Sequence, residues 1–204
     1  MKKLFLLTLV FSLTIGISAQ KGYTGMMETG YAPVIISSQI LWEQPPAFHF
    51  GDNAFHFATV HGYSFNPHFF LGGGIGYVNT SVLRRIAHPS PYNPDLHIVR
   101  EEAHLIPVFI RYKANLLKEK IISPFLSFDG GYTIDLKASQ YVQTRWILRP
   151  SIGTNITVHS RLWAYFSFGM NFQQLQYEES TEFSSREFPK VWLKSLDFRI
   201  GFQF

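Results

Sequence analysis

A closed, up-and-down antiparallel β-barrel of eight strands, crossing a membrane with its strands, is the fold the sequence predicts. Three observations carry it. Apolar and polar residues alternate with a period of two in eight separate segments; this is the period of a strand, whose successive side chains point to opposite faces of a sheet. The longest apolar stretches after residue 19, such as 105–110, fall well short of the roughly 18 residues a spanning helix needs. The connections between the segments alternate between long and short.

The chain has 204 residues, room for one domain of ordinary size. Its 46% apolar and 16% charged residues exclude a disordered chain, and the composition is not that of a coiled coil. Aromatic residues make up 17%, with 20 Phe and 10 Tyr, unusual beside so little charge. The formal charge of +4 falls to +2 without Lys2 and Lys3, too little to imply a nucleic-acid partner.

Residues 1–19 read as a secretory signal peptide. Lys2 and Lys3 supply the positive start, the stretch from Leu4 to Phe11 is almost wholly apolar, and Ile17-Ser18-Ala19 ends on a small residue where cleavage is expected. Residues 20–204 are then the barrel domain. With no Cys in the chain there is no disulfide, thiolate metal site or lipidated cysteine, so stability must come from burial or from closed backbone hydrogen bonding.

The first segment, 21–32, sets Tyr23, Met27 and Tyr31 against Glu28, Gly30 and Ala32. In 54–65, Phe55, Phe57, Tyr63 and Phe65 oppose His56, Ala58, Gly62 and Ser64. In 69–82, Leu71, Ile75 and Tyr77 oppose Gly72, Gly74, Gly76 and Thr80. Segment 104–114 divides less cleanly, with Ile106, Val108, Ile110 and Tyr112 against Leu105, Phe109, Arg111 and Lys113. In 124–136, Leu126, Phe128, Tyr132 and Ile134 face away from Ser127, Asp129, Gly131, Thr133 and Asp135. In 145–158, Trp146, Leu148, Pro150, Ile152, Ile156 and Val158 oppose Arg145, Arg149, Ser151, Gly153 and Asn155. Segment 163–175 places Ala164, Phe166, Phe168, Met170 and Phe172 opposite Tyr165, Ser167, Gly169, Asn171 and Gln173. The last, 191–204, is the clearest, with Trp192, Lys194, Leu196, Phe198, Ile200, Phe202 and Phe204 on one face.

Stretches 33–53, 83–102, 137–143 and 176–190 form the long set of connections; 66–68, 115–122 and 159–161 are shorter. Long loops outside and short turns in the periplasm are the pattern of an outer-membrane barrel, which places both termini in the periplasm. A strand of about 11 residues, rising ~3.3 Å each at ~40° tilt, spans ~28 Å and matches the ~25 Å apolar band of such barrels.

The two faces decide against a soluble barrel. The polar face carries Glu28, Asp129, Asp135 and Asp197 with Arg111, Lys113, Arg145, Arg149 and Arg199, too few charges for a water-exposed exterior. Near-balance of sign is what burial in a lumen requires. Glu28, Arg111, Asp129, Arg145, Arg149, Asp197 and Arg199 are therefore expected to form an interior charge cluster, with small residues of the second and third segments giving the arginines space. The result is a plugged polar interior without a conventional hydrophobic core. The apolar face, with Trp and Tyr near the strand ends, is expected to meet lipid.

The ending Phe198, Ile200, Phe202, Phe204 resembles the C-terminal insertion signal of bacterial outer-membrane proteins. His61-Gly62-Tyr63-Ser64-Phe65-Asn66-Pro67, Phe70-Leu71-Gly72-Gly73-Gly74-Ile75-Gly76, Ile106-Pro107-Val108-Phe109 and Ile122-Ser123-Pro124-Phe125 lie in a chain that, over 20–204, resembles the small OmpA-like and PorT-like barrels of Bacteroidetes. The resemblance implies a barrel delivered by the outer-membrane assembly machinery; it implies no shared chemistry, because the family is defined by its fold.

No catalytic, cofactor or metal site is expected. The eight His lack metal-site spacing. His159-Ser160 has no acid nearby in sequence to orient the imidazole, and the glycine run at 72–76 does not complete a dinucleotide motif. His61 would face lipid in mid-strand. The expected role is non-enzymatic, structural or accessory, as a subunit of a larger envelope or secretion assembly. The competing classes are a lipid-modifying enzyme and a narrow channel. Outer-membrane lipid and lipopolysaccharide are the expected surroundings, and loops 33–53 (Ile35, Ile36, Ile40, Leu41, Trp42, Phe48) and 84–102 (Arg84, Arg85, Arg100) are the candidate partner surfaces. Deleting Phe204 is expected to lower the amount of heat-modifiable barrel in the outer membrane; an unchanged amount contradicts the insertion-signal role.

Overall fold

Eight strands, β1 (Tyr23–Ile36), β2 (Phe48–Ser64), β3 (Phe69–Ala87), β4 (Leu96–Asn115), β5 (Ile122–Lys137), β6 (Val142–His159), β7 (Leu162–Tyr177) and β8 (Lys190–Gln203), pair in sequence order into a closed barrel. Every pairing is antiparallel, and β1 returns to β8 along Met26↔Gln203 to Tyr31↔Phe198. The computed structural model describes residues 22–36, 48–87, 96–117, 121–137, 142–177 and 190–204. The expected signal peptide lies outside the described residues, as do 37–47 and 88–95 of the two candidate partner loops.

Closure follows from the alternation: with one face apolar and the other polar, an open sheet would leave two rows of unpaired backbone groups at its edges. The turn end of the barrel gathers the N-terminal end of β1, the C-terminal end of β8, the connections at 65–68 and 160–161, and residues 116–117 and 121 beside β4 and β5. At 65–68, Asn66 Oδ1 accepts the backbone N–H of His68 (2.8 Å) and Phe69 (3.0 Å), the local turn an Asn-Pro start favours.

The strands run farther than their alternation. β1 has 14 residues and β4 has 20, against the 11 or so needed to cross the apolar band. The β3–β4 hairpin stays in register out to Ala87↔Leu96, so 84–87 and 96–102, expected as loop, are strand, as are 33–36 and 48–53 of the expected first loop. The reason is physical. Beyond the lipid neither face has to be apolar, so the period-two pattern fades at Arg84-Arg85 and Arg100-Glu101-Glu102 while the backbone ladder continues.

The outward face is a belt of exposed apolar side chains, among them Ile75, Val108, Ile110, Leu126, Phe128, Ile152, Phe166 and Ile200. Aromatic rings border it. Toward the turn end stand Tyr23, Tyr63, Phe65, Phe69 and Tyr112; toward the loop end stand Tyr77, Tyr132, Trp146 and Trp192. His61 belongs to the first border, four residues from the β2–β3 turn, not to mid-strand. Its Nδ1 bonds the Tyr23 hydroxyl and its Nε2 the Thr59 hydroxyl (2.7 Å), so both ring nitrogens are satisfied.

The lumen departs from expectation in one respect. It holds a small apolar cluster, Met26, Ala58, Val60, Phe70, Phe109, Phe125 and Tyr165, alongside its charges. The glycines of β3 make room for phenylalanine rings and not directly for arginines. A Cβ on Gly72 would stand 2.5 Å from the Phe70 ring, and one on Gly74 2.5 Å from the Phe109 ring. The guanidiniums of Arg111 and Arg149 then lie 5.5 and 6.0 Å from the centre of the Phe109 ring.

Gly74→Ala is therefore expected to cost about 1–3 kcal/mol, by the measure of an overpacked core. Gly73→Ala, whose Cβ would meet nothing within 4 Å, is expected to stay within about 0.5 kcal/mol of wild type. Unfolding midpoints in urea, followed by the heat-modifiable gel shift, separate the two.

Candidate functional site in the barrel lumen

Strand parity turns Glu28 (β1), His56 (β2), Arg111 and Lys113 (β4), Asp129 (β5), Arg149 (β6), Tyr165 (β7) and Asp197 and Arg199 (β8) inward, each at most 5% exposed. Register sets the first contact: Arg111, Asp129 and Arg149 stand side by side on β4, β5 and β6. Arg111 grips Asp129 with Nε (2.6 Å) and Nη2 (2.7 Å). The same guanidinium reaches across the lumen to both Glu28 oxygens, Nη1 to Oε2 at 2.6 Å and Nη2 to Oε1 at 2.7 Å. Such two-pronged, charge-assisted pairs are the strong class of hydrogen bond.

Arg199 closes the ring. Its Nη1 donates to Asp129 Oδ2 at 2.8 Å and lies 3.5 Å from Glu28 Oε1, and its Nη2 donates to Ser151 Oγ at 2.8 Å. Tyr165 adds a hydroxyl bond to Glu28 Oε2 at 2.6 Å. Two carboxylates and two guanidiniums thus neutralise one another, each carboxylate touching both cations.

Toward the loop end, His56 Nε2 meets Asp197 Oδ1 at 2.8 Å, and Asp197 Oδ2 faces Arg199 Nε at 3.2 Å. This pair joins β2 to β8 across the intervening β1. Passage is possible because β1 has Gly30 there, where a Cβ would stand 2.2 Å from His56 Nε2. Toward the turn end, Lys113 Nζ donates to Asn155 Oδ1 (2.8 Å) and Gln203 Oε1 (2.7 Å) and sits 4.1 Å from the Phe125 ring centre.

Of the residues singled out for the interior cluster, Glu28, Arg111, Asp129, Asp197 and Arg199 come together, and Arg149 lies beside them with its Nε 3.2 Å from Asn171 Oδ1. Arg145 does not join. The β6–β7 register slips between Thr144 and Ile147, both of which are buried, and this bulge leaves Arg145 half-exposed with Nη1 3.0 Å from the Tyr132 hydroxyl in the outer aromatic border. Asp135 is half-buried near the loop end and holds Thr144 through its backbone N–H (2.9 Å) and its hydroxyl.

Alternation puts His56 and Tyr165 on the inner face but names no partner for either. The signal for His56 was the glycine one strand over, readable only once Gly30↔His56 and Gly30↔Arg199 are known to share a register.

Among the residues singled out for insertion, Phe198, Ile200 and Phe202 are exposed on the outer wall. Phe204 exchanges backbone bonds with Gly25 (2.8 and 2.9 Å), and its ring lies where a Cβ on Gly25 would be 2.5 Å away.

Elsewhere, Ser160 Oγ and His159 Nδ1 are 3.1 Å apart in the exposed β6–β7 turn. Adjacent residues can meet there because a turn, unlike a strand, does not send them to opposite faces. Among the described residues no carboxylate pairs with His159, and none form a group of three or more His, Asp and Glu able to hold a metal.

This is the architecture of outer-membrane β-barrels. No family model matches the chain, and no curated protein matches it in sequence. Among solved structures it is similar to the outer membrane protein OprG from Pseudomonas aeruginosa, at 11% identity and a TM-score of 0.54, with 92% of this chain and 97% of that one covered. It is also similar to Neisserial surface protein A (10% identity, TM-score 0.51, coverage 90% and 96%). For the E. coli outer membrane protein W the values are 11%, 0.51, 91% and 98%. At such identities the likeness is one of fold: a closed eight-stranded outer-membrane barrel.

Glu28→Gln removes one charge from the ring and leaves its buried guanidiniums under-neutralised. Loss of one partner of a buried pair costs about 3–5 kcal/mol, so the variant is expected to unfold at markedly lower urea. The double variant Glu28→Gln/Arg111→Met is expected to recover part of that loss, a coupling measurable by a double-mutant cycle.

Proposed function

We propose that this protein is a non-enzymatic, non-conducting barrel of the bacterial outer membrane, with a structural or accessory role in a larger envelope or secretion assembly. The observation that carries this reading is the neutralised ring of Glu28, Arg111, Asp129 and Arg199, which occupies the lumen with the Phe109 ring stacked against it. Eight strands enclose little more than their own inward side chains, so a path for solute through this cross-section would have to break several buried charge pairs.

The remaining parts of the reading rest on sequence. Residues 1–19 export the chain and the termini lie in the periplasm, which puts the turn end inside and the loop end outside. The ending at Phe204 is read by the assembly machinery. The PorT-like, Bacteroidetes attribution rests on the sequence stretches that resemble that group. The β1–β2 and β3–β4 connections, with the strand ends that carry them (33–53 and 84–102), are the surfaces proposed to meet lipopolysaccharide and a protein partner. Against a lipid-modifying enzyme, His159 and Ser160 pair at the turn end without a carboxylate to hold the imidazole.

Purified barrel in a planar bilayer is expected to show no stable open state; a reproducible single-channel conductance overturns the plugged reading. Mild-detergent purification from a producing strain is expected to yield a stoichiometric protein partner. A lone barrel accompanied by altered lipid A favours the enzyme instead.

A further inference from the structure

Among the described residues, the fully buried charged side chains of the lumen are unequal in number: Arg111, Lys113, Arg149 and Arg199 against Glu28, Asp129 and Asp197. Each carboxylate has at least one ion-pair partner. Glu28 is bound by Arg111, Arg199 and Tyr165, Asp129 by Arg111 and Arg199, and Asp197 by His56 and Arg199. Lys113 is held by two amide oxygens and two aromatic faces.

Arg149, like Lys113, has no carboxylate among its hydrogen-bond partners, but unlike Lys113 it has a donor left over. It is 4% exposed, its Nε has the neutral Asn171 for a partner, and its Nη1 has no hydrogen-bond partner in the protein. His56 Nδ1, also buried, has none either. Both side chains line one cavity on the loop-end side of the ion-pair ring, together with Thr80, Asn171, Gln173 and Ser195. It offers about 20 Å³ to a water-sized sphere, enough for one or two such spheres. Asp197 is part of the wall: its Oδ1 is bonded to His56 Nε2, while its Oδ2 lies 3.2 Å from Arg199 Nε without a hydrogen bond between them, held there by charge alone.

A buried guanidinium with an unused N–H, one uncompensated positive charge and amide and hydroxyl groups around a space of this size are the elements of an anion site. We propose that the lumen binds one small monovalent anion of chloride size against Arg149, neutralising the charge that the protein's own carboxylates leave over. A water molecule could fill the volume and take the hydrogen bonds, but it cannot supply the missing charge. That difference makes the site testable.

The full barrel in detergent, transferred from gluconate to chloride at constant ionic strength and pH, is expected to show a saturable rise in its unfolding midpoint, with bromide replacing chloride. Asn171→Asp puts a carboxylate where Arg149 Nε already has its partner at 3.2 Å. That variant is expected to fold and to lose the chloride dependence, because the charge is now supplied from within. Crystals of the wild type grown in bromide are expected to give an anomalous peak within hydrogen-bond reach of Arg149 Nη1. A wild type indifferent to chloride, an Asn171→Asp variant with undiminished dependence, or no anomalous peak at the site would each overturn the proposal.

Discussion

Two carboxylates and two guanidiniums share one cross-section of the lumen, and the rest of the barrel is arranged so that they can meet. Glu28 comes from the first strand, Arg111 and Asp129 from the fourth and fifth, and Arg199 from the last. No open arrangement of the sheet brings Glu28 to Arg111 and Arg199 to Asp129 together; the ring exists only when β1 has found β8. Charge neutralisation and closure are therefore one event. The network also penalises error. A slip of one residue in β1 would turn Glu28 toward lipid and Met27 inward, reversing every side chain of the strand. Buried ion pairs contribute little net stability compared with well-packed apolar groups, but they make the unpaired alternatives costly.

Around that ring the inward face grades by size. Gly72 and Gly74 of β3 leave space that the Phe70 and Phe109 rings take, and the Arg111 guanidinium is held near the face of Phe109. The backbone of one strand, an aromatic ring and a cation thus form successive layers from wall to centre. Tyr165 serves both materials: it touches Phe125 edge-on, with ring centres 6.0 Å apart, and sends its hydroxyl to Glu28. Apolar filling toward the turn end and ionic filling at mid-height are parts of one packed interior.

Alternation made most of this legible in advance. The inward placement of Glu28, Arg111, Asp129, Arg149, Asp197 and Arg199 follows from parity within each strand, because a lipid-facing wall forces the period. Three things were not legible, each for a local reason. The bulge before Ile147 costs β6 its parity at Arg145, and no residue in Thr144-Arg145-Trp146 announces an extra position. The outer ends of β3 and β4 have charged residues at consecutive sequence positions (Arg84-Arg85, Arg100-Glu101-Glu102), so the pattern stops before the strands do. The partners across the lumen depend on stagger and curvature: Glu28 and Arg111 are 83 positions apart, and nothing in either segment alone names the other.

The passage of His56 over Gly30 gives the seam between β1 and β8 the behaviour of a ratchet. Pulling β1 away from β8 means parting Arg199 from Glu28, and the bond from His56 to Asp197 fastens the strand beyond β1 to the far side of the same seam. Reopening would have to expose several of these charges at once to a hydrocarbon surround that solvates none. A barrel built this way is held shut by the difficulty of the return path as much as by the depth of its minimum, and once released into a bilayer it should exchange strands with its neighbours very slowly.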